Sequence, residues 1–275
     1  MRPQVSIVVP VYRNADTLAE LHRRVSRAVG ERWSLEIVFV DDACPAGSLE
    51  VLRRLARDDR RVAVVALAAN VGQNRAVLTG LGYARGEAVV VMDADLQDPP
   101  EAVPLLVDAL GPSADAVFAG RRGAYQSAAR MACTHVFRWV LHQLSQHRLP
   151  RDAGLFVAMQ RGLAERLALS TDDPHPYVVG MIGRAHVPVH SIPVERQPNP
   201  SGRSGYSGWM RLRLAVHAVA GLLAPPRAPS SGAAVRVAEL IGAPLHDPAS
   251  GAATPGSVPY TLAASTPAPL TSEPR

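Results

Sequence analysis

Short apolar runs alternate with longer amphipathic segments through the first 120 residues of the chain. The apolar runs are rich in valine and predict β-strands at residues 5–11, 35–40, 62–66, 88–92 and 116–119. The segments between them have helical periodicity at residues 15–29, 48–58, 72–84 and 100–110. Continuous hydrophobic runs are typical of strands that are buried on both faces. This order of elements predicts the α/β fold class, with a mostly parallel sheet flanked by helices.

The rest of the chain is less regular. Its pattern predicts a helix at residues 127–146, a strand at 154–159, a helix at 162–169 and a strand at 187–194. We expect a folded domain at 1–208, an amphipathic helix at 209–224 that rests on a membrane surface or on the protein's own core, and a tail at 225–275. The tail is rich in Pro, Ala and Ser and is expected to be largely disordered, apart from a weak helical pattern at 235–241.

Charge and cysteine content narrow the choice of partners and compartment. The net charge is +5, and all 29 basic residues are arginine. A basic surface favours anionic partners such as nucleotides, lipid phosphates or an acidic membrane, although genomic base composition explains the arginine bias equally well. Cys44 and Cys133 lack the spacing of a metal site and cannot form a disulfide framework, which favours the reducing cytosol.

The N-terminus lacks the charged, apolar and small-residue regions of a signal peptide. A spanning helix needs roughly 18 apolar residues. Arg211, Arg213 and His217 interrupt the best candidate. We therefore expect a cytoplasmic protein, either soluble or peripheral on the inner face of the membrane. No nucleic-acid partner is expected, and a homo-oligomer stays open.

Polar side chains follow four of the predicted strands. They are Tyr12 and Asn14, Asp41 and Asp42, Asn70, and Asp93 and Asp95. Ligands of parallel sheets bind beyond the carboxyl ends of the strands, so these residues are the first candidates for a binding site.

The segment Asp93-Ala-Asp-Leu-Gln97 is the sharpest of these features. It presents alternate carboxylates and an amide directly after a buried strand, and these are the hard oxygen ligands with which Mg²⁺ or Mn²⁺ could bridge a diphosphate. For a lone Asp-x-Asp, a polar strand end before a helix that starts with proline is the plainer interpretation.

The surrounding motifs change that balance. The stretches at 6–12, 40–42, 70–74, 84–86 and 93–101 occur together and in this order. With them the chain resembles the family 2 glycosyltransferases of GT-A fold, and within these the dolichyl- and polyprenyl-phosphate glycosyltransferases, over roughly residues 4–215. The resemblance implies that 1–208 is a catalytic domain. It also implies metal-dependent transfer of a sugar, with inversion, from a nucleotide-diphosphate donor to a polyprenyl phosphate.

The resemblance assigns donor roles residue by residue. Pro10, Tyr12 and Asp41 would hold the base and ribose, with the aromatic ring stacked on the base, and Asp42 would orient this group. Asp93, Asp95 and Gln97 would coordinate the metal. The remaining donor-binding candidates are Asn14, Asn70, Gln73 and again Asp93.

The acceptor side is assigned in the same way. Asp152 is a candidate catalytic residue that orients an arginine or acts as a base, together with Arg121 and Arg130. Gly205 stands where the family has a lysine, a loss for which Arg203 is the candidate replacement. The candidates that grip the acceptor phosphate are Arg121, Arg130, Thr134, Arg196, Arg203, Ser204 and Tyr206.

Two other functions stay open at this stage. The acceptor could be a hydroxyl of a soluble natural product or glycan, and Asp152 would then be the indispensable base. The chain could also be an inactive nucleotide-binding scaffold whose tail recruits partners. A nicotinamide site is disfavoured, because the glycines of 80–86 close a helix and have the wrong spacing for a dinucleotide fingerprint.

Replacing Asp95 with Ala tests the metal assignment. The change removes one oxygen ligand without touching an apolar strand, so we expect sugar transfer to be lost while the circular dichroism spectrum and thermal melt stay those of the wild type. Normal release of nucleoside diphosphate by Asp95→Ala would overturn the assignment.

Overall fold

The computed structural model describes residues 2–122, 143, 148–169, 176–197 and 235–242. The strands in these ranges are β1 Val5–Val11, β2 Leu35–Asp41, β3 Val62–Leu67, β4 Ala88–Val91, β5 Ala116–Arg122, β6 Val157–Gln160, β7 Val189–Glu195 and β8 Val237–Gly242. The helices are α1 Leu18–Gly30, α2 Ser48–Asp58, α3 Gln73–Tyr83, a 3-10 turn at Pro100–Ala102 that leads into α4 Val103–Asp108, α5 Arg161–Ala168 and α6 Val178–Arg184.

The described strands form one sheet in the order β7-β5-β6-β4-β1-β2-β3-β8. The strands β4, β1, β2 and β3 are parallel neighbours, as are β5 and β7. In contrast, β6 runs antiparallel to β4 and β5, and β8 runs antiparallel to β3. The predicted α/β class is therefore confirmed, with antiparallel strands inserted at one point and added at one edge.

Helices cover both faces of this sheet, which explains why the central strands are apolar throughout. On one face Val9 and Ile7 of β1 belong to the same core as Leu21 of α1, together with residues of α2 and α4. On the other face Val8 of β1 packs with Leu81 of α3, together with residues of α5 and α6. Each residue of β1 to β4 is buried, as continuous hydrophobic runs predict.

The prediction of a weak helix at 235–241 is wrong, because Val237–Gly242 is the strand β8. Its backbone pairs with β3, whose edge would otherwise present unsatisfied N–H and C=O groups. Arg53 of α2 and Glu239 form an ion pair of 2.5 Å that fixes the strand at this edge. Residues 237–242 thus form a strand because they pair with the edge strand β3, although their local sequence pattern predicted a helix. Apart from residue 143, the predicted helices at 127–146 and 209–224 lie outside the described residues, as does most of the tail.

A buried ionic network closes the edge of the sheet where β1 and β2 begin. Glu36 is 2% exposed and accepts hydrogen bonds from Ser6 Oγ at 2.6 Å and from Arg85 Nε at 2.6 Å. The N–H of Gly86 donates to Ser6 Oγ at 2.7 Å, and a Cβ at Gly86 would lie 2.5 Å from the Ser6 nitrogen. The Ala84-Arg-Gly86 motif therefore anchors the end of α3 to the sheet.

Two glycines in helices test how tightly α3 packs on the sheet. A Cβ at Gly80 would lie 2.5 Å from Val8 Cγ1 and 2.8 Å from Val40 Cγ2, and both valines are fully buried. We expect Gly80→Ala to lower the free energy of unfolding in urea by about 1–3 kcal/mol, because the short valine side chains cannot move aside.

Gly162 of α5 is the matched control, because a Cβ there meets nothing within 4 Å. Gly162→Ala should raise the free energy of unfolding by about 0.5 kcal/mol, since alanine restricts the unfolded chain and favours a helix. Equal effects of the two substitutions would contradict the close packing at Gly80.

Candidate functional site

Parallel pairing brings the carboxyl ends of β4, β1, β2 and β3 to one edge of the sheet. The N–H of Asp42 donates to the Val11 carbonyl at 3.0 Å, and the N–H of Met92 donates to the Val8 carbonyl at 3.2 Å, so the pairing continues to the strand ends. The residues that the sequence predicted for the donor and the metal lie in these strands, in the loops that follow them or, for Gln73, at the start of α3. They are Pro10, Tyr12, Asn14, Asp41, Asp42, Asn70, Gln73, Asp93, Asp95 and Gln97.

Asp42 ties the end of β2 to the segment before α3. Its carboxylate accepts hydrogen bonds from the N–H of Val71 at 2.7 Å, the N–H of Gly72 at 2.9 Å and Asn70 Nδ2 at 3.0 Å. Burial raises the pKa of Asp42, and the Val71 and Gly72 N–H groups oppose this rise. The hydrogen bonds give Asp42 a positioning role and compensate the carboxylate for the loss of water.

Asp41 is buried without such compensation. The residue is 2% exposed, and one oxygen accepts a hydrogen bond from the N–H of Cys44 at 3.2 Å. The other oxygen, Oδ1, has no hydrogen-bond partner among the described residues. Burial raises the pKa of Asp41, and the neighbouring charge of Asp42 raises it further. A buried acceptor with an open lone pair fits a site for a ligand's N–H or O–H donor.

Tyr12 provides an aromatic surface at the rim of this site. Its side chain is 40% exposed, and the Arg13 guanidinium lies 5.2 Å from the ring centroid. The backbone of Arg13 is left-handed, with φ 62°, and its N–H donates to Cys44 Sγ at 3.1 Å. Cys44 thus contacts both the turn after β1 and the Asp41 carboxylate, which holds the two loops together.

The turn Asp93–Asp98 alternates half-buried and buried residues. Asp93, Asp95 and Gln97 are half-buried, whereas the intervening Ala94 and Leu96 are buried. Asp95 Oδ1 accepts a hydrogen bond from the N–H of Gln97 at 3.0 Å, and Leu96 adopts a left-handed backbone with φ 61°. This alternation leaves the three predicted metal ligands accessible.

Side chains from other elements hold this turn. Thr17 Oγ1 donates to the Ala94 carbonyl at 2.6 Å, and Gln73 Nε2 donates to Asp93 Oδ1 at 2.6 Å. Thr17 Oγ1 also lies within 3.0 Å of the Asn14 carbonyl, and it accepts no capping hydrogen bond from α1. The starts of α1 and α3 therefore determine where the carboxylates lie.

Arg196 lies beside the same turn. Its Nε donates to Asp98 Oδ1 at 2.7 Å, and its Nη2 lies 3.6 Å from Asp93 Oδ2. Burial lowers the pKa of Arg196, but the attraction of Asp98, Asp93 and Asp95 raises it more. The sequence assigned Arg196 to the acceptor phosphate, whereas in the structure it contacts the carboxylates of the predicted metal site.

The chemistry of the donor set fits Mg²⁺ or Mn²⁺. Two carboxylates and an amide oxygen are hard ligands, and these cations keep several positions for water or substrate phosphates. Within the described ranges no three acidic, His or Cys side chains converge as a complete metal site. The turn would therefore supply part of a coordination shell, and a diphosphate could complete it.

Asp152, which the sequence analysis assigned to the acceptor, lies beside Gly120 of β5 and Ser191 of β7. Its Oδ1 accepts a hydrogen bond from Ser191 Oγ at 2.9 Å, and a Cβ at Gly120 would collide with its Oδ2. The backbone of Arg121 continues β5 and pairs with Val194 of β7. Side-chain positions of the remaining acceptor candidates lie outside the described residues, namely Arg121, Arg130, Thr134, Arg203, Ser204 and Tyr206.

Thr17 and Asp98 were missed by the sequence analysis. Thr17 is a common residue type before a helix, and Asp98 precedes two prolines. In the sequence, both residues therefore look like ordinary features of a helix start and a turn, and neither indicates a functional role. Nothing in the spacing along the chain brings Thr17 to Ala94 or Arg196 to Asp98. These contacts depend on the sheet order.

Comparison with known proteins gives a consistent set of relatives. The sequence profile described as Glycosyl transferase family 2 matches residues 6–165. An undecaprenyl-phosphate 4-deoxy-4-formamido-L-arabinose transferase of Edwardsiella ictaluri is 31% identical over 76% of this chain and 64% of its own length. A bactoprenol glucosyl transferase of Shigella phage SfV is 26% identical over 78% of this chain and 71% of its own length.

A solved structure extends the similarity to three dimensions. A mannosyltransferase of Pyrobaculum calidifontis, in complex with GDP-Man and Mn²⁺, superposes with a TM-score of 0.57 and 26% identity, over 83% of this chain and 66% of that protein. The chain thus spans about two thirds of the length of these relatives. In the part of the chain that the structure describes, no helix is both long enough and apolar enough to cross a bilayer.

Replacing Asp41 with Asn tests whether the buried, charged carboxylate lowers the stability of the folded protein. Burial raises its pKa above the ordinary 3.8, so the folded state disfavours the charged form and stability falls as the pH rises through that window. We expect Asp41→Asn to raise the free energy of unfolding at pH 7 by about 1 kcal/mol, with the gain shrinking towards pH 3, in urea titrations across this range.

Asp42→Asn is the matched control and should lower the free energy of unfolding. Burial raises the pKa of Asp42 as well, but here the loss of hydrogen bonds outweighs the gain from burying a neutral group. Its carboxylate accepts three hydrogen bonds, and an amide would turn an N–H towards at least one of those donors. A loss of stability in Asp41→Asn at pH 7 would show that Asp41 is compensated within the fold.

Proposed function

Because the chain belongs to glycosyl transferase family 2, we propose that it is a metal-dependent glycosyltransferase that moves a sugar from a nucleoside diphosphate to a polyprenyl phosphate. The family assignment confirms the resemblance found in the sequence. One observation supports the proposal most strongly. The open oxygen of Asp41 and the accessible ligands of the Asp93–Asp98 turn lie on the same edge of the sheet, as a nucleotide that carries a diphosphate requires.

In the proposed complex the nucleoside binds where β1 and β2 end. Tyr12 stacks on the base, since its ring is exposed and lies beside a cation. Asp41 Oδ1 accepts a hydrogen bond from the base, which gives this buried oxygen the partner that it lacks in the described residues. Asp42 keeps the start of α3 in place through its three donors.

The reaction is a direct displacement at the anomeric carbon of the sugar. An oxygen of the polyprenyl phosphate forms a bond to this carbon, while the bond to the donor diphosphate breaks and its electron pair stays on the leaving phosphate oxygen. A bound Mg²⁺ or Mn²⁺ would neutralise the charge that grows on that leaving group. Asp93, Asp95 and Gln97 would hold the cation, and Gln73 orients Asp93.

A phosphate acceptor agrees with the environment of Asp152. Its carboxylate accepts the Ser191 hydroxyl and packs against Gly120, which suits a residue that orients its neighbours. A phosphate is ionised at neutral pH and needs no base, whereas a sugar hydroxyl would. The Edwardsiella ictaluri and Shigella phage relatives are named for undecaprenyl phosphate and bactoprenol, which favours the lipid acceptor for this chain. Such an acceptor would bring the enzyme to the inner face of the membrane.

The first test is transfer of radiolabel into a lipid phase. The full-length protein is incubated with Mn²⁺, undecaprenyl phosphate and a panel of radiolabelled nucleotide sugars, and label is counted in the organic extract. We expect one donor to give organic-phase label, which disappears when EDTA replaces Mn²⁺ or when Asp95→Ala replaces the wild type.

Two other results would change the proposal. Slow release of nucleoside diphosphate without organic-phase label would move the acceptor to a soluble hydroxyl, and Asp152→Asn should then abolish activity on that acceptor. Absence of turnover with every donor, together with nucleotide binding, would support an inactive scaffold. With the lipid acceptor, Asp152→Asn should keep measurable transfer, because no proton has to be removed.

A further inference from the structure

Two residues that follow β7 contact three residues of the Asp93–Asp98 turn. Arg196 Nε donates to Asp98 Oδ1 at 2.7 Å, and Arg196 Nη2 lies 3.6 Å from Asp93 Oδ2. The N–H of Gln197 donates to the Gln97 carbonyl at 2.9 Å. The segment that follows β7, an outer strand of the sheet, is therefore attached to the turn that follows the central strand β4.

A helix strengthens this attachment. Arg24 of α1 donates from Nη1 to Gln197 Oε1 at 3.1 Å. The same guanidinium binds both oxygens of Glu101, at 2.9 Å and 2.6 Å. The segment 196–197 therefore contacts the turn through its backbone and side chains, and contacts α1 through Arg24.

Asp98 makes the Arg196 contact energetically important. It is 2% exposed, and its Oδ2 has no hydrogen-bond partner among the described residues. Where a buried carboxylate is paired with a cation, removing that cation leaves an uncompensated charge. The guanidinium is the cation paired with Asp98, through the 2.7 Å contact from Nε.

We propose that Arg196 is a positioning residue for the metal-binding turn, through Asp98 and Asp93, and not a ligand of the acceptor phosphate. The inference rests on the proposed function, because it assigns a role at the same metal site. The two distances show that the guanidinium interacts differently with Asp98 and with Asp93. The contact of 2.7 Å to Asp98 is a charge-assisted hydrogen bond, whereas 3.6 Å to Asp93 exceeds hydrogen-bond range and is an electrostatic attraction.

This division leaves Asp93 able to coordinate a cation. Arg196 can stay on Asp98 while the Asp93 carboxylate turns towards Mg²⁺ or Mn²⁺. Leu96 has a left-handed backbone at the centre of the turn, a conformation that persists only where the surroundings enforce it. Arg196 and Gln197 supply that enforcement on one side, and Thr17 supplies it on another through the Ala94 carbonyl.

The test measures Mn²⁺ affinity by electron paramagnetic resonance, with the nucleoside diphosphate of the donor found in the lipid-phase assay. Lysine in Arg196→Lys keeps the charge but cannot span Asp98 and Asp93 as a planar fork. We expect Arg196→Lys and Asp98→Asn each to weaken Mn²⁺ binding about 10-fold, as is usual when residues that orient metal ligands are changed.

The double variant tests whether Arg196 and Asp98 affect Mn²⁺ binding through their contact with each other or independently. Because both substitutions break one contact, Arg196→Lys/Asp98→Asn should weaken Mn²⁺ binding no more than the worse single variant. Arg32→Lys is the matched control, since Arg32 forms a bidentate pair with Asp108 at 2.9 Å and 3.1 Å on the surface. Its Mn²⁺ affinity should equal that of the wild type.

Each alternative outcome is distinct. A lower melting temperature in Arg196→Lys with wild-type Mn²⁺ affinity would mean a purely structural role and would overturn the inference. A raised KM for the lipid acceptor with unchanged Mn²⁺ affinity would return Arg196 to the acceptor phosphate. If the wild type binds no Mn²⁺ with any nucleoside diphosphate, the proposed function fails and the inference fails with it.

Discussion

Parallel pairing of β4, β1, β2 and β3 is the constraint on which the site depends. It brings the carboxyl ends of four strands together at one end of the sheet. The backbone hydrogen bonds between strands stop there, so polar side chains bond to the backbone N–H and C=O groups of the loops. The loops that follow are then close enough to support each other. Asp42 reaches the segment before α3, and Gln73 of α3 reaches Asp93 after β4. A change in sheet order would separate these residues without altering any of their local sequences.

Three buried carboxylates, Asp41, Asp42 and Asp98, lie where the parallel strands end, and the protein compensates them to different extents. Asp42 accepts three hydrogen bonds from the protein. Asp98 also has one oxygen without a hydrogen-bond partner among the described residues, but its charge is paired with the Arg196 guanidinium. Asp41 has one donor, and its second oxygen is open among the described residues. Burying a polar group without a partner costs free energy, and the proposed nucleotide would supply the donor that Asp41 Oδ1 lacks. By contrast, Glu36 at the opposite edge is satisfied within the fold.

Much of the fold could be predicted because hydrophobic periodicity reports burial directly. The bounds of β1 and α2 agree with prediction, and those of β2 and β3 differ by one residue. The segment that forms β8 was predicted as a helix. A short apolar run does not show whether the unpaired edge of a sheet lies next to it in the fold, and here it pairs with the edge strand β3. The candidate donor and metal residues could be proposed for a similar reason, since ligands of such sheets bind at the carboxyl ends of the strands, where these polar residues stand.

Patterns of neighbouring residues were enough to predict most of the strands and helices, the apolar core and the Asp-x-Asp-x-Gln motif, because these features depend on residues close together along the chain. The polar groups that support the motif could not be predicted in this way. Thr17, Gln73 and Arg196 come from three separate elements, and each contacts the turn after β4. The physical reason is that hydrogen bonds and ion pairs act over a few ångströms in space. The sheet order, and not the spacing along the chain, sets those distances.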